Sequence, residues 1–211
     1  MSYNLEEQDQ IEQLRAFWQR WGTAISALLL LAALAWAGYS GWHWWTRRRA
    51  AQASSLYSQL SQRLASSDLA GAAPIWGKLR KDFGSTAYAQ MGALALAHGY
   101  VDGGQPARAE PVLQWACSHG PVAAQRAAAM LNLAALQVDA RQYAQALQTL
   151  RTAPTRAFGP LFLAGRGDVH AAQGRRAQAR EDYTKALGEL PADAALRELL
   201  RIKLDSVGGA A

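Results

Sequence analysis

The chain has 211 residues, of which 50% are hydrophobic and 18% charged, and its formal net charge is +6 at pH 7. A single Cys excludes a disulfide framework and a zinc site built from several thiolates. The basic residues after Arg49 are spread along the whole domain with acidic residues near them, whereas nucleic-acid-binding proteins gather Lys and Arg on one face. The composition therefore argues against nucleic-acid binding.

The first 21 residues change from acidic to basic as they approach an apolar run. Four acidic residues fall within the first twelve positions, and Arg15 and Arg20 follow them. Apolar residues recur at helical spacing at Ile11, Leu14, Phe17, Trp18 and Trp21. This spacing predicts a short N-terminal tail, residues 1–21, that is partly an amphipathic helix at a bilayer surface. A disordered tail with a chance stripe is the alternative that the sequence leaves open.

Residues 22–45 form a long uncharged stretch that predicts a transmembrane helix. They contain no Asp, Glu, Lys or Arg, and as a helix they would extend about 36 Å, enough to cross a hydrocarbon core of about 30 Å. Aromatic residues bracket the run at the expected headgroup levels, and Arg47–Arg49 follow it. A cleavable signal peptide is disfavoured because the chain begins with acidic residues and the run ends in bulky Trp. A buried globular helix ringed by Trp is disfavoured as well.

Three small residues, Ala33, Ala37 and Gly41, fall four residues apart on one face of this predicted helix. Small residues at that spacing allow a second transmembrane helix to approach closely. The same pattern arises easily by chance in an Ala-rich segment, so it supports a membrane partner only together with other evidence.

The chain beyond residue 45 has the composition of an all-α domain. No Gly or Pro occurs between Trp45 and Gly71, so the transmembrane helix is expected to continue into the next segment without a flexible linker. The remaining sequence is rich in Ala, Leu and Gln and poor in β-branched residues. We assign residues 46–205 to one helical-repeat domain and residues 206–211 to a disordered tail.

Residues 160–193 carry the clearest internal repeat, a unit of 34 residues. It matches the tetratricopeptide pattern at Leu163, Gly167, His170, Gly174, Ala179, Tyr183, Ala186 and Pro191. Gly167 and Ala179 allow two antiparallel helices to approach closely, and Tyr183 fills the space between them. Gly174 ends the first helix and Pro191 ends the second.

Weaker copies of this unit recur upstream at steps of 33 and 37 residues. Arg141 stands in one copy where Gly174 stands in the last, and Gly104 has this place in the copy before. The earliest copy is degenerate and rests on Leu56, Leu60, Ala72, Trp76 and Leu79. The pattern predicts three to four helix–turn–helix units in a tetratricopeptide-like solenoid. A last helix at about 192–204, with a polar outer face formed by the charges at 197–203, is expected to close it.

No arrangement of side chains in the sequence indicates catalysis or a metal site. None of the four His pairs with Cys, Asp or Glu at metal-ligand spacing, and no nucleophile-elbow or phosphate-loop motif is present. His170 stands at a repeat position usually filled by Tyr and is expected to pack in the core. Cys117 is expected to be a buried or half-buried inert thiol. We therefore expect no enzyme, no cofactor and no small-molecule substrate.

Repeat geometry predicts a concave surface lined by the first helix of each pair. The candidate partner-binding residues at its inner positions are Met91, Leu94, His98, Val101, Leu131, Val138, Leu161 and Asp168. We take Leu94, Leu131 and Leu161 as equivalent positions that form one stripe. A wall of small and apolar residues with acidic points suits extended or helical segments of another protein. The alternative left open is that these residues pack against the N-terminal helices and leave no groove.

The order of these features is similar to that of a known family. Residues 10–18 read Gln-Ile-Glu-x-Leu-Arg-x-Phe-Trp, and Gly22, a single anchor and a degenerate tetratricopeptide-like domain follow. This arrangement resembles the YfgM-like family, the ancillary subunits of the bacterial SecYEG translocon. The resemblance implies a cytoplasmic N-terminus and a periplasmic repeat domain. It also implies two partners, the translocon and a membrane-anchored periplasmic chaperone related to peptidyl-prolyl isomerases, and a non-catalytic role in assisting proteins that leave the channel.

Charge alone does not fix the orientation of the anchor. Arg15, Arg20 and the α-amino group flank it on one side and Arg47–Arg49 on the other. The positive-inside rule counts Lys and Arg only, so it mildly favours a cytoplasmic domain. The margin is one charge, and long domains translocate largely regardless of charge, so we prefer the orientation that the resemblance implies. Two hypotheses result: a binding module of the secretion machinery, or a bitopic scaffold for another inner-membrane complex with its domain on either side.

Overall fold

The computed structural model describes residues 3–191 and 193–208, with side chains described at 15, at 18–22 and from 26 onward. Every regular element within these residues is a helix, which confirms the expected all-α class. The chain divides into two compact units, Met1–Arg49 and Ala50–Ala211. The side chains of Ile11, Leu14 and Phe17, on which the predicted amphipathic stripe depends, lie outside the described part.

Helix α1 (Tyr3–Ala65) is 63 residues long and contains the predicted transmembrane stretch. Its centre consists mainly of Ala and Leu, which favour helices, and no Pro interrupts it. An 18-residue window of this helix has a mean hydropathy of 1.7, and none of the window is buried within the structure. Trp36 and Trp42 are 72% and 64% exposed. Among the described residues, α1 is the one helix that is long and apolar enough to cross a membrane.

The second unit continues with short helices that pack against one another in chain order. Their bounds are α2 Leu69–Phe83, α3 Ala87–Asp102, α4 Pro106–Ser118, α5 Ala123–Asp139, α6 Tyr143–Thr149, α7 Gly159–Ala172, α8 Arg176–Glu189 and α9 Leu196–Gly208. A short 3₁₀ helix, Arg156–Phe158, precedes α7. Helix α3 also contacts α5, and α5 contacts α7, so the first helices of successive pairs lie side by side.

One type of turn joins the two helices of each pair. Its central residue has a positive φ of 57°, 70°, 59° and 72° at Ser67, Gly104, Arg141 and Gly174. In each turn this residue donates its amide to the carbonyl three positions earlier, and the next residue donates to the carbonyl five positions earlier. These two bonds form the Schellman motif, which ends a helix at a left-handed residue. The turns recur at steps of 37, 37 and 33 residues, so the described chain contains four repeats, the degenerate first copy included.

The last repeat is packed as its sequence predicts. Ala179 is 0% exposed and Tyr183 2% exposed, and a Cβ added to Gly167 would overlap the Tyr183 ring. Gly174 follows the end of α7 with its positive φ, and Pro191 follows the end of α8. Helices α7 and α8 therefore approach closely because a glycine faces an aromatic ring.

Helix α9 begins and ends later than expected, because the segment before it is held as a turn. The guanidinium of Arg197 donates to the carbonyls of Leu187 and Leu190 at 2.8 and 2.9 Å, which satisfies the last carbonyls of α8. The helix itself runs from Leu196 to Gly208 and so includes residues 206–208 of the predicted tail. Residues 209–211 lie outside the described part.

The faces of α9 correct part of the prediction that the charges at 197–203 form a polar outer face. Glu198 and Arg201 are exposed and pair at 3.5 Å, as expected of a closing helix. Lys203 is instead half-buried and turned toward α7, whereas Leu199 and Ile202 are 48% and 59% exposed. Leu200, which is fully buried, docks α9 on the last repeat and so sets which side of the helix faces inward. The charge pattern alone could not reveal this orientation.

Candidate functional site

Two adjoining cavities lie between the first helices of the last three repeats. One of ≈ 170 Å³ separates α3 from α5, and one of ≈ 260 Å³ separates α5 from α7. Ala135 and Asp139 line both cavities, so the two cavities adjoin along α5, and together we call them the groove. A further cavity of ≈ 640 Å³ toward α4 is also lined by Asp139. The helix order therefore leaves an open surface where the sequence predicts one.

Five of the eight predicted partner-binding residues line the groove, namely His98, Val101, Leu131, Val138 and Asp168. They come from α3, α5 and α7, so the fold brings together residues that lie up to 70 positions apart in the chain. Their exposure ranges from half-buried to exposed, with Val101 at 42%. The side chains at these five positions are accessible to a partner.

The other three predicted residues, Met91, Leu94 and Leu161, are half-buried and line neither cavity of the groove. Leu94 packs against the core of the first repeats, and Leu161 packs against the core formed by α5 to α7. The prediction that Leu161 is equivalent to Leu94 and Leu131 is wrong. Leu94 and Leu131 each lie ten positions before the left-handed turn residue of their repeat. In the last repeat the residue ten positions before the turn is Ala164.

The groove combines an apolar wall with one free carboxylate. Leu131, Val138 and Leu150 contribute apolar surface, and the absent side chain of Gly165 keeps the second cavity open. A Cβ at Gly165 would lie 3.1 Å from Leu150 and 3.3 Å from Leu131. The exposed carboxylate of Asp139 has no hydrogen-bond or ion-pair partner within the described residues. Such a surface fits a protein segment that offers apolar side chains beside a Lys or Arg.

Asp168 is not the free acidic point that the sequence predicts. Lys203 on α9 donates to both of its carboxylate oxygens, at 2.6 and 2.7 Å, and the Tyr183 hydroxyl donates to Oδ1 at 2.7 Å. Burial, followed by this bond to Asp168, raises the pKa of Tyr183. The sequence analysis placed Lys203 on the outer face of the last helix. Its neighbour Leu204 packs against the core of the last repeat, and this apolar neighbour was the signal for an inward-facing position.

Two titratable groups outside the groove have structural roles. Burial raises the pKa of the Cys117 thiol to about 11, which makes it the inert, half-buried thiol that was expected. His170 is 9% exposed, with Nε2 3.6 Å from the buried Asp182 carboxylate, and so packs in the core as expected. Arg166 also pairs with Asp182, at 3.0 Å. Within the described residues, no group of three or more His, Cys, Asp or Glu is placed to hold a metal.

The small residues predicted to pack against another membrane helix lie on an open face. Ala33, Ala37 and Gly41 are all exposed, and a Cβ at Gly41 would meet nothing within 4 Å. A role of these three residues in helix packing stays a prediction.

The fold and the groove define a tetratricopeptide-like helical-repeat protein with one N-terminal helix able to span a membrane. The family described as a tetratricopeptide repeat-like domain matches residues 15–209, nearly the whole chain. An ancillary SecYEG translocon subunit of Neisseria gonorrhoeae is 30% identical over 210 residues, which cover 98% of this chain and 100% of that protein. Proteins of the same name are 27% identical in Haemophilus influenzae and 25% in Escherichia coli, over 88% and 95% of this chain and 91% and 96% of theirs. The chain belongs to the family of ancillary SecYEG translocon subunits, which confirms the resemblance.

Proposed function

We propose that this protein is an inner-membrane-anchored accessory subunit of the Sec translocon, and that its groove binds segments of partner proteins. The observation that carries the proposal is the groove itself, two mainly apolar cavities on either side of α5 with a free carboxylate at Asp139. The name that the relatives share supports the Sec translocon as the complex with which this protein associates. In this role the protein assists translocated chains together with a membrane-anchored periplasmic chaperone and catalyses no reaction.

The proposal includes a topology. Helix α1 crosses the inner membrane with its N-terminus in the cytoplasm, and the unit Ala50–Ala211 lies in the periplasm. The family motif at residues 10–18 supports this orientation, against a bias of one charge in the opposite sense. Protease added to spheroplasts should digest the repeat unit while a cytoplasmic marker stays intact. Full protection of the repeat unit would contradict both the topology and the role at the translocon exit.

The groove proposal predicts a charge preference in the bound segment. An apolar side chain would enter the cavities beside Leu131 and Val138, and a Lys or Arg would pair with Asp139. A partly desolvated ion pair of this kind contributes about 1–3 kcal/mol, so its reversal weakens binding by about tenfold or more. We therefore expect Asp139→Lys to reduce copurification of translocon subunits with the full-length protein from solubilised membranes.

A matched control separates the groove from general charge. Asp102 is also an exposed aspartate at the end of a first helix, but it lines neither cavity of the groove. Asp102→Lys makes the same change in net charge and should leave copurification unchanged. Equal losses from both variants would overturn the groove proposal. Partners that exclude translocon subunits would favour the alternative function, a scaffold for another inner-membrane complex.

A further inference from the structure

We propose that a second docking surface, separate from the groove, binds an acidic segment of a partner protein. It is a cavity of ≈ 440 Å³ between α2 and α4, the second helices of the first two repeats, and the C-terminal half of α3. We call it the arginine cleft, because Arg80 of α2 and Arg108 of α4 both line it. The residues that line the arginine cleft differ from those that line the two cavities of the groove.

Two aromatic rings hold the guanidinium groups at the arginine cleft. The guanidinium carbon of Arg80 lies 5.0 Å from the centroid of the Trp76 ring, and that of Arg108 lies 4.6 Å from the centroid of the Tyr100 ring. Trp76 and Tyr100 are 7% and 4% exposed, so the packed core fixes the position of both rings. A guanidinium that stacks on a ring still presents N–H donors along its edges, where they match the two oxygens of a carboxylate.

The arginine cleft carries positive charge without a carboxylate to balance it. Its lining residues include no Asp or Glu, and both arginines are exposed. Within the described residues, the side chain of Arg80 contacts the Trp76 ring and has no ion pair. Arg108 donates Nη1 to the neutral amide oxygen of Gln105 at 2.9 Å, which leaves its charge and its other N–H groups. An anion is therefore the group that would complete the site.

The apolar part of the arginine cleft selects a protein segment as the source of that anion. Leu96 and Val112 contribute buried aliphatic surface beside the two rings. Gly77 keeps the side of α2 open, since a Cβ added there would meet nothing within 4 Å. An apolar side chain next to an Asp or Glu in a partner would use both the apolar surface and the charge. A lipid headgroup or a free phosphate would use the arginines alone.

The test measures binding of peptides to the full-length chain in neutral detergent by fluorescence anisotropy. Three rhodamine-labelled helical peptides share one apolar stripe and carry Glu, Gln or Lys beside it. At low salt we expect the Glu peptide to bind about tenfold more tightly than the Gln peptide, because its carboxylates gain charge-assisted hydrogen bonds. Arg80→Gln with Arg108→Gln should abolish this preference. Gly77→Leu keeps the charge, fills the arginine cleft and should weaken binding of the Glu peptide severalfold.

A second pair of exposed arginines provides the control. Arg175→Gln with Arg176→Gln removes the same charge from the repeat unit outside the arginine cleft and should keep the preference for Glu. Equal losses in the two double variants would reduce the effect to net charge and overturn the proposal, as would a full preference in the Arg80 and Arg108 variant. Dihexanoyl phosphatidylglycerol that binds more tightly than the Glu peptide would assign the cleft to a lipid headgroup and likewise overturn it.

The Lys peptide separates this inference from the proposed function of the groove. It should bind beside Asp139, so Asp139→Lys should weaken its binding and leave that of the Glu peptide intact. No preference for Glu, together with a Lys peptide that depends on Asp139, would contradict the arginine cleft alone. A Glu preference that depends on Arg80 and Arg108, together with a Lys peptide that does not depend on Asp139, would support the cleft and contradict the groove alone.

Discussion

Replacing Gly167 by Ala tests whether the close approach of α7 and α8 holds the last repeat together. In a helix interior Ala is more favourable than Gly by about 1 kcal/mol, so without a steric clash the change would stabilise the protein. Here the new Cβ would overlap the Tyr183 ring, which is 2% exposed. Overpacking of this kind costs about 1–3 kcal/mol.

Movement of the Tyr183 ring has a second cost, because its hydroxyl donates to Asp168 at 2.7 Å and Lys203 of α9 binds the same carboxylate. Disturbing a hydrogen bond to a charged group costs about 1.5–3 kcal/mol when the bond is lost entirely. Partial loss of this bond roughly offsets the helix-propensity gain, so we expect Gly167→Ala to destabilise the last repeat by about 1–3 kcal/mol.

The assay is urea denaturation of the full-length protein in detergent, followed by far-ultraviolet circular dichroism. Gly188→Ala is the matched control, because Gly188 is an exposed residue of α8 and a Cβ there would meet nothing within 4 Å. The control should raise the free energy of unfolding by up to about 1 kcal/mol. If Gly167→Ala proves as stable as Gly188→Ala, the packing account of the last repeat is wrong.

Three further predictions concern a turn, a thiol and the groove. Arg141→Gly should raise the free energy of unfolding by about 0.5 kcal/mol in urea titrations. Glycine adopts the left-handed conformation of residue 141, at φ 59°, without strain, although it costs some chain entropy. A lower free energy of unfolding would contradict the turn assignment. Maleimide should label Cys117 about 100-fold more slowly in the folded protein than in urea at pH 8, because its pKa is about 11; equal rates would contradict its burial. Leu131→Glu should destabilise the protein by only about 1–2 kcal/mol, because the Leu131 side chain is half-buried. The same variant should reduce copurification of translocon subunits severalfold. Complete unfolding would show that Leu131 belongs to the core.

The sequence predicted the features that depend on local spacing. Gly167, Ala179 and Tyr183 lie at fixed offsets within one helix pair, so their packing could be read from the repeat pattern. The apolar run of α1 and the turn glycines Gly104 and Gly174 were predictable for the same reason. Each is determined by residues within about one repeat.

Features that depend on how distant helices dock were not predictable from spacing. Lys203 faces inward and donates to the Asp168 carboxylate because of the way α9 is rotated on the last repeat. The assignment of Leu161 was an error of register, since the step of 33 residues leads from Leu131 to Ala164 and not to Leu161. Ser67 has the left-handed turn conformation without being glycine, so the first repeat was degenerate in sequence but regular in structure.

The central claim, that the groove of a membrane-anchored repeat unit receives partners at the Sec translocon, is tested most directly by photo-crosslinking in living cells. A photoreactive amino acid is placed at Val138, which lines the groove, or at Gln178, an exposed position of α8 that does not line it. We predict adducts from Val138 that contain translocon subunits or chains in transit, and few or none from Gln178. Adducts that are absent from Val138, or equal at both positions, would contradict the claim.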